Sequence, residues 1–531
     1  SLIVVQPDAS AALASGCTTM SDPAMDAAAT SQIPQATGVF GQPSTLPFQA
    51  PDFDAIDDAD YRPAILQGMA IQKAEIAAIV NNPEPPTFDN TIVALERSGR
   101  DLNRVLAVFY SVTGANTNDT LDAVDAEISP LLAAHSGDIN LDPELFARVK
   151  AVYDNRAAMS MLPEDAVLLE ETYKGFVHAG ALLTPDQREQ VKAINTRLSE
   201  LTTEFGQKLT EATKDGALVV TDPAALAGYS ESQLAAAAAA AADRGVDGYV
   251  VPLLNTTQQP SLPDLDVRGT RQALFNNSIH RADQGGPNDT RANLAEQAKL
   301  RAEKAALFGN PDWATYQLYD SMAKDPATAL GFMQRLVPAL AATQRREADV
   351  LNARIAEGGD DFTVQPWDWD YFAEIVRREQ YDLDENAVKP YFEVQRVLED
   401  GVFFAANRLY GLTFAKRDDI PVYHPTVSVY TVMDADGSEL GLFYFDPFQR
   451  DNKQGGAWMS NYVDQSELFG TKPVIYNVLN IAPPAEGEPA LATFDNVTTI
   501  FHEFGHALHG LFADQKYPSL SGTAVARDFV E

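Results

Sequence analysis

The stretch DNVTTIFHEFGHALHGL, residues 495–511, has two distinct faces when it is drawn as an α-helix. The apolar face carries Val497, Phe501, Phe504, Leu508 and Leu511. The polar face carries Asp495, Thr499, His502, His506 and His509. An apolar stripe with the helical period packs against a core, whereas a polar stripe directed inwards is costly unless a ligand satisfies it. The stretch therefore predicts a helix over residues 495–511 that holds a metal ion.

Two histidines of this helix, His502 and His506, lie one turn apart. Side chains four residues apart project from the same face, so both rings can reach one ion about 2 Å away. Zinc suits such a site because it accepts nitrogen and oxygen ligands tetrahedrally and leaves one position for water. Glu503 is placed to accept a proton from a water molecule rather than to bind the ion. The motif predicts one Zn²⁺ ion with Glu503 as the general base.

The motif does not identify a third ligand. His509 is on the same face, but it would lie about 10 Å from His502 along the axis, so the three histidines cannot converge on one ion. A ligand from a second segment is needed. Asp528 and Glu531 lie on one helical face further along the chain, and residue spacing alone leaves the choice between them open.

Upstream of this helix, the apolar period falls to two. One apolar run contains Val427, Val429 and Val432, and in the next, at 440–445, Leu440, Leu442 and Tyr444 alternate with Gly441, Phe443 and Phe445. The sequence Asp-Ala-Asp-Gly at 434–437, between the two runs, is typical of a hairpin turn. A third apolar run follows at 474–479. We expect a small, mostly antiparallel sheet within residues 421–481.

The rest of the chain is predicted to be mostly helical. Helical periodicity is found at residues 65–79 and 95–109, and Asn90 is placed to cap the second of these two helices. The same periodicity recurs in the stretches 185–212, 287–308, 326–357 and 390–408. A run of eight alanines, Ala235 to Ala242, also predicts a helix. We expect a mostly α fold, with an N-terminal helical region at 46–250 and a second region at 251–531 that contains the sheet and the metal-binding helix.

The charge of the chain excludes one class of partner. Lys and Arg total 39 against 75 Asp and Glu, so the net charge is 39 − 75 = −36. Such an acidic surface repels phosphate backbones, so no nucleic-acid partner is expected. The sequence has no run of 18 apolar residues, so we expect no transmembrane segment.

Residues 1–45 are rich in small and polar residues and are predicted to form a disordered tether. The tether contains the single cysteine, Cys17, after small residues typical of the site at which bacterial lipoproteins are lipid-modified. However, residues 6–8 interrupt the apolar stretch that precedes Cys17, and no Lys or Arg precedes that stretch. Cys17 is therefore either an incidental thiol or a lipid anchor, and a periplasmic, a lipid-anchored and a cytoplasmic location all remain open.

Three segments, at residues 502–509, 521–523 and 528–531, resemble the signature of the thimet-oligopeptidase family of zinc metallopeptidases. Four more resemble its bacterial peptidyl-dipeptidase branch in particular, at residues 252–260, 365–369, 419–425 and 455–459. The resemblance implies a bacterial protein with a mostly helical, two-lobed fold, a deep channel and zinc on the channel floor.

The resemblance also implies roles for individual residues. His502, His506 and Glu531 match the zinc ligands of the family, and Glu503 matches its general base. His509 and Asp528 are candidates for residues that orient a ligand from outside the metal site. Gly455, Gly456 and Ala457 are candidates for the channel wall, where a glycine pair would let a peptide backbone approach. The isolated histidines are interpreted as ordinary polar or packed residues: His135, His178, His280 and His424.

The resulting functional prediction is a zinc peptidase that acts on short unfolded peptides and releases dipeptides from their free C-termini. One alternative is an oligopeptidase that cleaves internally, and another is a peptide-binding protein that has lost catalysis. Members of the family continue well beyond the position of Glu531, so residues 1–531 alone are expected to hydrolyse nothing. We expect a monomer completed by a C-terminal segment that grips the substrate.

Overall fold

The computed structural model of the protein describes residues 33–253, 259, 261–381, 385–484 and 487–531. Cys17, residues 1–32 of the predicted tether and most of the motif at 252–260 lie outside the described residues. Within the remainder of the predicted tether, Phe40 is buried in a hydrophobic core, and its carbonyl oxygen accepts a hydrogen bond from Arg104. The predicted domain boundaries stay predictions.

Helices form most of the N-terminal half. They are α1 (Asp58–Val80), α2 (Ala94–Arg97), α3 (Arg100–Ala115), α4 (Asp119–Asn140), α5 (Pro143–Asp154), α6 (Pro163–Ala179), α7 (Pro185–Asp215) and α8 (Glu231–Asp243). The alanine run lies in α8, as predicted. A π-helical turn at Phe88–Val93 precedes α2, and its N-cap is Thr87 rather than Asn90. The Asn90 side chain instead accepts a hydrogen bond from the Thr87 backbone amide, while the Asn90 amide donates to the Thr87 hydroxyl, which completes a capping box.

The second half contains the remaining helices. They are α9 (Arg268–Ile279), α10 (Arg291–Leu307), α11 (Trp313–Gln317), α12 (Pro326–Glu357), α13 (Pro366–Tyr381), α14 (Glu385–Val388), α15 (Val394–Arg396), α16 (Phe404–Tyr410), α17 (Phe494–Leu511) and α18 (Arg527–Val530). A second π-helical turn, Val397–Phe403, joins α15 to α16. Among the described residues, no helix has both the length and the apolar composition needed to cross a bilayer.

The main sheet has five strands. They are β3 (Thr413–Lys416), β4 (Ser428–Met433), β5 (Glu439–Phe448), β6 (Trp458–Val463) and β7 (Val474–Ile481), in the order β3-β4-β5-β7-β6. The hairpin between β4 and β5 is confirmed. Most neighbours are antiparallel, but β5 and β7 run parallel, so the sheet is mixed. The sequence did not predict β3, β6 or a separate antiparallel pair, β1 (Leu218–Val220) and β2 (Tyr249–Val251).

Both faces of the main sheet are buried, and this arrangement positions α17. Alternate residues of β5 face opposite sides, as the pleat requires. Leu442 and Tyr444 pack with α1, α3 and α4 in one core, whereas Phe443 and Phe445 pack in another core with Phe504 of α17. The sheet therefore holds α17 in a fixed position relative to the N-terminal helices. The mostly helical fold class is confirmed, while the division into two lobes stays a prediction.

Candidate metal centre

The helix α17 begins with a strong local signal. The Thr493 hydroxyl oxygen accepts a hydrogen bond from the Asn496 backbone, and the Asn496 side chain accepts one from the Thr493 backbone, both at 3.1 Å. This capping box satisfies two amides that the first turn would otherwise leave unpaired. Phe504 and Leu511 on the predicted apolar face are buried, but Phe501 is 40% exposed and packs beside Gly401 instead of entering the core.

The structure brings His502, His506 and Glu531 together at one point. The Nε2 atoms of the two histidines are 2.9 Å apart. The Glu531 carboxylate lies 3.4 Å from Nε2 of His502 and 3.3 Å from Nε2 of His506. Of the two candidates that residue spacing left open, Glu531 therefore meets the histidines.

These three side chains fit a zinc ion. Two atoms that bind zinc at 2.0–2.1 Å with tetrahedral angles lie about 3.3 Å apart, close to the distances observed. Among the described residues, this is also the group of three metal-ligating side chains whose ligand atoms all lie within 4.8 Å of one another. Burial lowers the pKa of His506, which favours the neutral ring that a metal ligand must provide, although Glu531 acts in the opposite direction.

Glu531 reaches the histidines because the chain after α17 folds back tightly on the helix. Gly522 has φ of +56°, and a side chain there would approach the Cα of Gly510 to 3.2 Å. Gly510 itself is so close to Ile475 that a Cβ would lie 2.5 Å from its side chain. The Ser521 hydroxyl donates to the side chain of Gln465. Two glycines thus allow the close contact that brings the C-terminal segment to the metal centre.

Glu503 faces the same centre but has a different environment. Only 5% of the residue is exposed, and its Oε2 atom has no hydrogen-bond partner among the described residues. Burial, with a smaller contribution from Glu531, raises the pKa of Glu503 to about 8. A buried carboxyl group without a donor is costly, and perturbed carboxyl groups of this kind cluster at functional sites.

The structure gives Asp528 and His509 contacts other than the metal group. The Asp528 carboxylate accepts hydrogen bonds from the backbone amides of Met322 and Ala323, at 2.8 and 2.9 Å. These bonds lower the pKa of Asp528 and fix the short helix α18, which Glu531 follows directly. The His509 ring lies 6.5 Å from that of Phe529 and is outside the group of three ligands.

The other four histidines have ordinary partners. His135 bonds to Gln72, His178 stacks on Tyr316 and Tyr319, His280 bonds to Asp283, and His424 bonds to Thr426. Within the described part of the chain, none of them belongs to a metal-ligating group.

A cavity of about 3200 Å³ opens in front of the metal centre. Its lining includes His502, Glu503 and His506, helices of the N-terminal half, and the segment Gly455, Gly456 and Ala457. The strand that follows this segment, β6, is the last strand of its sheet, so one of its edges has no strand partner among the described residues. An open strand edge beside a metal centre can pair with an extended peptide.

Sequence reasoning missed the charged residues beneath this segment. Asp446 and Lys453 are 1% and 5% exposed, and they form an ion pair of 3.1 Å. The available signal was Asp446 itself, because a carboxylate inside the apolar stretch 442–448 of β5 needs a buried partner.

Comparison with known proteins gives consistent matches. The model of peptidase family M3 matches residues 261–531, just over half of the chain. The chain is 50% identical over 489 residues to dipeptidyl carboxypeptidase of Escherichia coli K12, a match that covers 92% of this chain and 72% of that protein. It is 48% identical to dipeptidyl carboxypeptidase of Salmonella typhimurium over 492 residues, with the same coverage. Oligopeptidase A of Escherichia coli K12 is 30% identical over 498 residues, 92% of this chain and 73% of that protein.

Proposed function

The chain belongs to peptidase family M3, a family of zinc-dependent peptidases, and we propose that it releases dipeptides from the free C-termini of short peptides. The family resemblance inferred from the sequence motifs is thereby confirmed. The observation that carries the proposed specificity is the 50% identity, over 92% of the chain, to a protein named dipeptidyl carboxypeptidase. Identity to oligopeptidase A over a similar length is only 30%.

We assign the zinc ligands to His502, His506 and Glu531. Their support is the set of distances of 2.9–3.4 Å between the two Nε2 atoms and the carboxylate, together with a donor set that zinc prefers. Zinc, when bound, supplies Lewis-acid polarisation of a carbonyl group and lowers the pKa of water.

Glu503 acts as the proton carrier. It follows His502 on α17, and both residues line the cavity that opens at the proposed zinc site. A cation among the three ligands favours the ionised form of this buried carboxyl group. The ionised Glu503 accepts a proton from the attacking water and then delivers it to the leaving amine. Because its Oε2 atom has no competing hydrogen bond among the described residues, it is available for both transfers.

The peptide is held as an additional strand along the open edge of β6. The backbone of Gly455 and Gly456 offers close approach because neither residue has a side chain, and Ala457 adds only a methyl group. This segment lines the same cavity as the metal centre. An extended peptide held there presents a backbone carbonyl to Glu503, whereas a folded protein is too bulky to enter.

The alternative with internal cleavage differs from the proposal in one requirement, the free C-terminus of the substrate. We would incubate the protein, expressed from its complete gene, with an unblocked nonapeptide and with its C-terminally amidated form, and identify the products by mass spectrometry. The proposal requires successive loss of dipeptides from the unblocked peptide and little turnover of the amidated one. Equal turnover of both peptides with internal fragments would favour the oligopeptidase. Zinc-dependent peptide binding without any product would favour the inactive peptide-binding protein.

A further inference from the structure

The segment between β5 and β6 rests on a buried cation, Lys453. Its side chain has no exposed surface. The ammonium group donates hydrogen bonds to the carbonyl oxygens of Asp446 and Phe448, at 3.3 and 2.7 Å, and pairs with the Asp446 carboxylate at 3.1 Å. Burial lowers the pKa of Lys453 to about 7, although Asp446 acts in the opposite direction. A charge this deeply buried is retained only where its partners are well placed.

Asp446 has two further partners that fix its orientation. Arg450 donates to both carboxylate oxygens, at 3.0 and 2.5 Å, and the Tyr423 hydroxyl donates at 2.6 Å. Burial alone would raise the pKa of Asp446, but these donors and Lys453 hold it below its ordinary value. The carboxylate is therefore ionised and held from several directions.

The same segment is also tied to its surroundings through its backbone. The Arg450 guanidinium group donates to the carbonyl oxygen of Ala115, and the Gln454 backbone amide donates to that of Gly114, both at the end of α3. The Asn480 side chain, from β7, donates to the carbonyl oxygens of Gln454 and Gly456, at 2.8 and 2.7 Å. Residues 453–456 are thus fixed by the buried cation, by α3 and by β7.

We propose that Lys453 is a positioning residue that, through Asp446, sets the position of Gly455 and Gly456 and hence the register of the bound peptide on β6. This inference rests on the proposed function, because it concerns the segment assigned there to the peptide backbone. Lys453 acts through the segment rather than on the substrate: the part of the segment that lines the cavity begins at Gln454.

The expected effect of removing the cation is on substrate binding. Without Lys453, the carbonyl oxygens of Asp446 and Phe448 lose their donor, and the glycine segment can shift relative to the metal centre. The metal ligands and Glu503 lie on other elements and keep their positions. A displacement of about 1 Å in a positioning element costs up to roughly a hundredfold in efficiency. The structure therefore predicts a rise in KM with kcat largely kept, because contacts shared by the ground and transition states are weakened.

The molecule contains a matched control at Arg271. This buried cation donates to the carbonyl oxygens of Leu265 and Asp266, at 2.7 and 3.1 Å, and pairs with Asp368 at 3.2 Å. Its contacts have the same form as those of Lys453, two backbone carbonyls and one buried aspartate. Arg271 and Asp368 are not among the residues that line the cavity.

The test compares three variants, Lys453→Met, Lys453→Arg and Arg271→Met, with the parent protein, all expressed from the complete gene. For each protein, kcat and KM are measured with an unblocked peptide, together with the zinc content and the melting temperature. Lys453→Met is expected to raise KM roughly tenfold or more with zinc content unchanged and kcat within about threefold of the parent. Lys453→Arg is expected to recover part of that change. Arg271→Met is expected to lower the melting temperature without changing KM.

An unchanged KM in Lys453→Met, or an equal rise in Arg271→Met, would overturn the proposal. If Lys453→Met does not fold, Tyr423→Phe removes one hydrogen bond to Asp446 and should raise KM in the same direction by a smaller factor; no rise would count against the proposal. A parent protein that releases no dipeptide contradicts the proposed function instead, so the two failures are distinguishable.

Discussion

Glu503 and Asp446 are both buried carboxyl groups near the cavity, but their surroundings differ completely. Asp446 accepts hydrogen bonds from Arg450 and Tyr423 and pairs with Lys453, and its pKa is held below the ordinary value. Oε2 of Glu503 has no hydrogen-bond partner among the described residues, and burial raises the pKa of Glu503 to about 8. The partners of a carboxyl group, more than its burial, decide which protonation state the fold favours.

The difference indicates a structural role for Asp446 and a proton-transfer role for Glu503. A carboxylate surrounded by donors keeps its charge in one place and holds chain segments together. A carboxyl group left without donors is costly to the fold and can gain or lose a proton readily when a cation approaches. Asp368 repeats the first arrangement, between Arg268 of α9 and Arg271, at a place that is not part of the cavity lining.

Removal of the metal is the largest perturbation of the Glu503 region. Treatment with a chelator is expected to reduce turnover to background, because the cation that favours ionised Glu503 is lost together with the Lewis acid. Adding one equivalent of zinc should restore the activity, and this can be followed by peptide turnover and metal analysis. Full activity in a protein shown to be free of metal would contradict the assignment of the site.

Substitution of Glu503 isolates the proton carrier. Glu503→Gln is expected to lower kcat by about 10²–10⁴, the usual contribution of a general base, while zinc content remains that of the parent. The melting temperature should stay the same or rise, because the amide removes an ionisable group that lacks a donor on Oε2. A variant with kcat within tenfold of the parent would refute the proposed role, whereas one without zinc would show that Glu503 supports the ligands.

Removal of the paired carboxylate at Asp368 should lower the stability of the protein and leave its kinetics unchanged, the reverse of the effect expected at Glu503. Asp368→Ala leaves Arg271 buried without its carboxylate and is expected to reduce the free energy of unfolding by about 3–5 kcal/mol, measured by urea denaturation. At a temperature where the variant remains folded, its KM should equal that of the parent. A changed KM would mean that paired carboxylates distant from the cavity also position the substrate, and the comparison would fail.

A third buried carboxyl group, Glu96, extends the comparison to pH. It is fully buried, its Oε2 atom has no hydrogen-bond partner among the described residues, and burial raises its pKa to about 10. A raised pKa in the folded state means that its contribution to stability is complete below about pH 4.5 and is lost as the pH rises towards 10. Glu96→Gln cannot ionise and is therefore expected to gain on the order of 2–3 kcal/mol relative to the parent at pH 7. Between pH 5 and pH 8, the melting temperature of the variant should fall less than that of the parent. An equal fall in both proteins would mean that the pKa of Glu96 is not raised.

Local patterns in the sequence predicted the elements that depend on neighbouring residues. The period of residues 495–511 predicted α17, and the turn at 434–437 predicted the hairpin of β4 and β5. The missed elements depend on distant partners. Strand β6 follows a glycine segment and is defined by its pairing with β7, and the parallel pairing of β5 with β7 has no local signal.

The residues of the candidate site also divide into those that local sequence predicts and those that depend on distant contacts. The four-residue spacing of His502 and His506 predicted that their side chains would lie close together, because an α-helix fixes the relative positions of such residues. Spacing could not separate Asp528 from Glu531, since the choice depends on how the chain returns to α17 and on the backbone amides of Met322 and Ala323 that bind Asp528. Asp446 signalled that a buried cation was needed, but the sequence could not identify Lys453 as that cation, because the choice depends on how the chain after β5 folds back and on two backbone carbonyls.

The segment that delivers Glu531 is also attached to the N-terminal helices. The Tyr517 hydroxyl and the Lys516 ammonium group donate to Asp165 in the first turn of α6, and the Tyr517 amide donates to Glu164. Because one segment contacts α6 and carries the proposed ligand Glu531, zinc binding is expected to stabilise the docking of α6, and by reciprocity that docking is expected to strengthen zinc binding. A protein emptied of zinc is therefore expected to exchange the amide hydrogens of α6 faster than the loaded one, because the proposed zinc site would join two parts of the chain that are far apart in sequence.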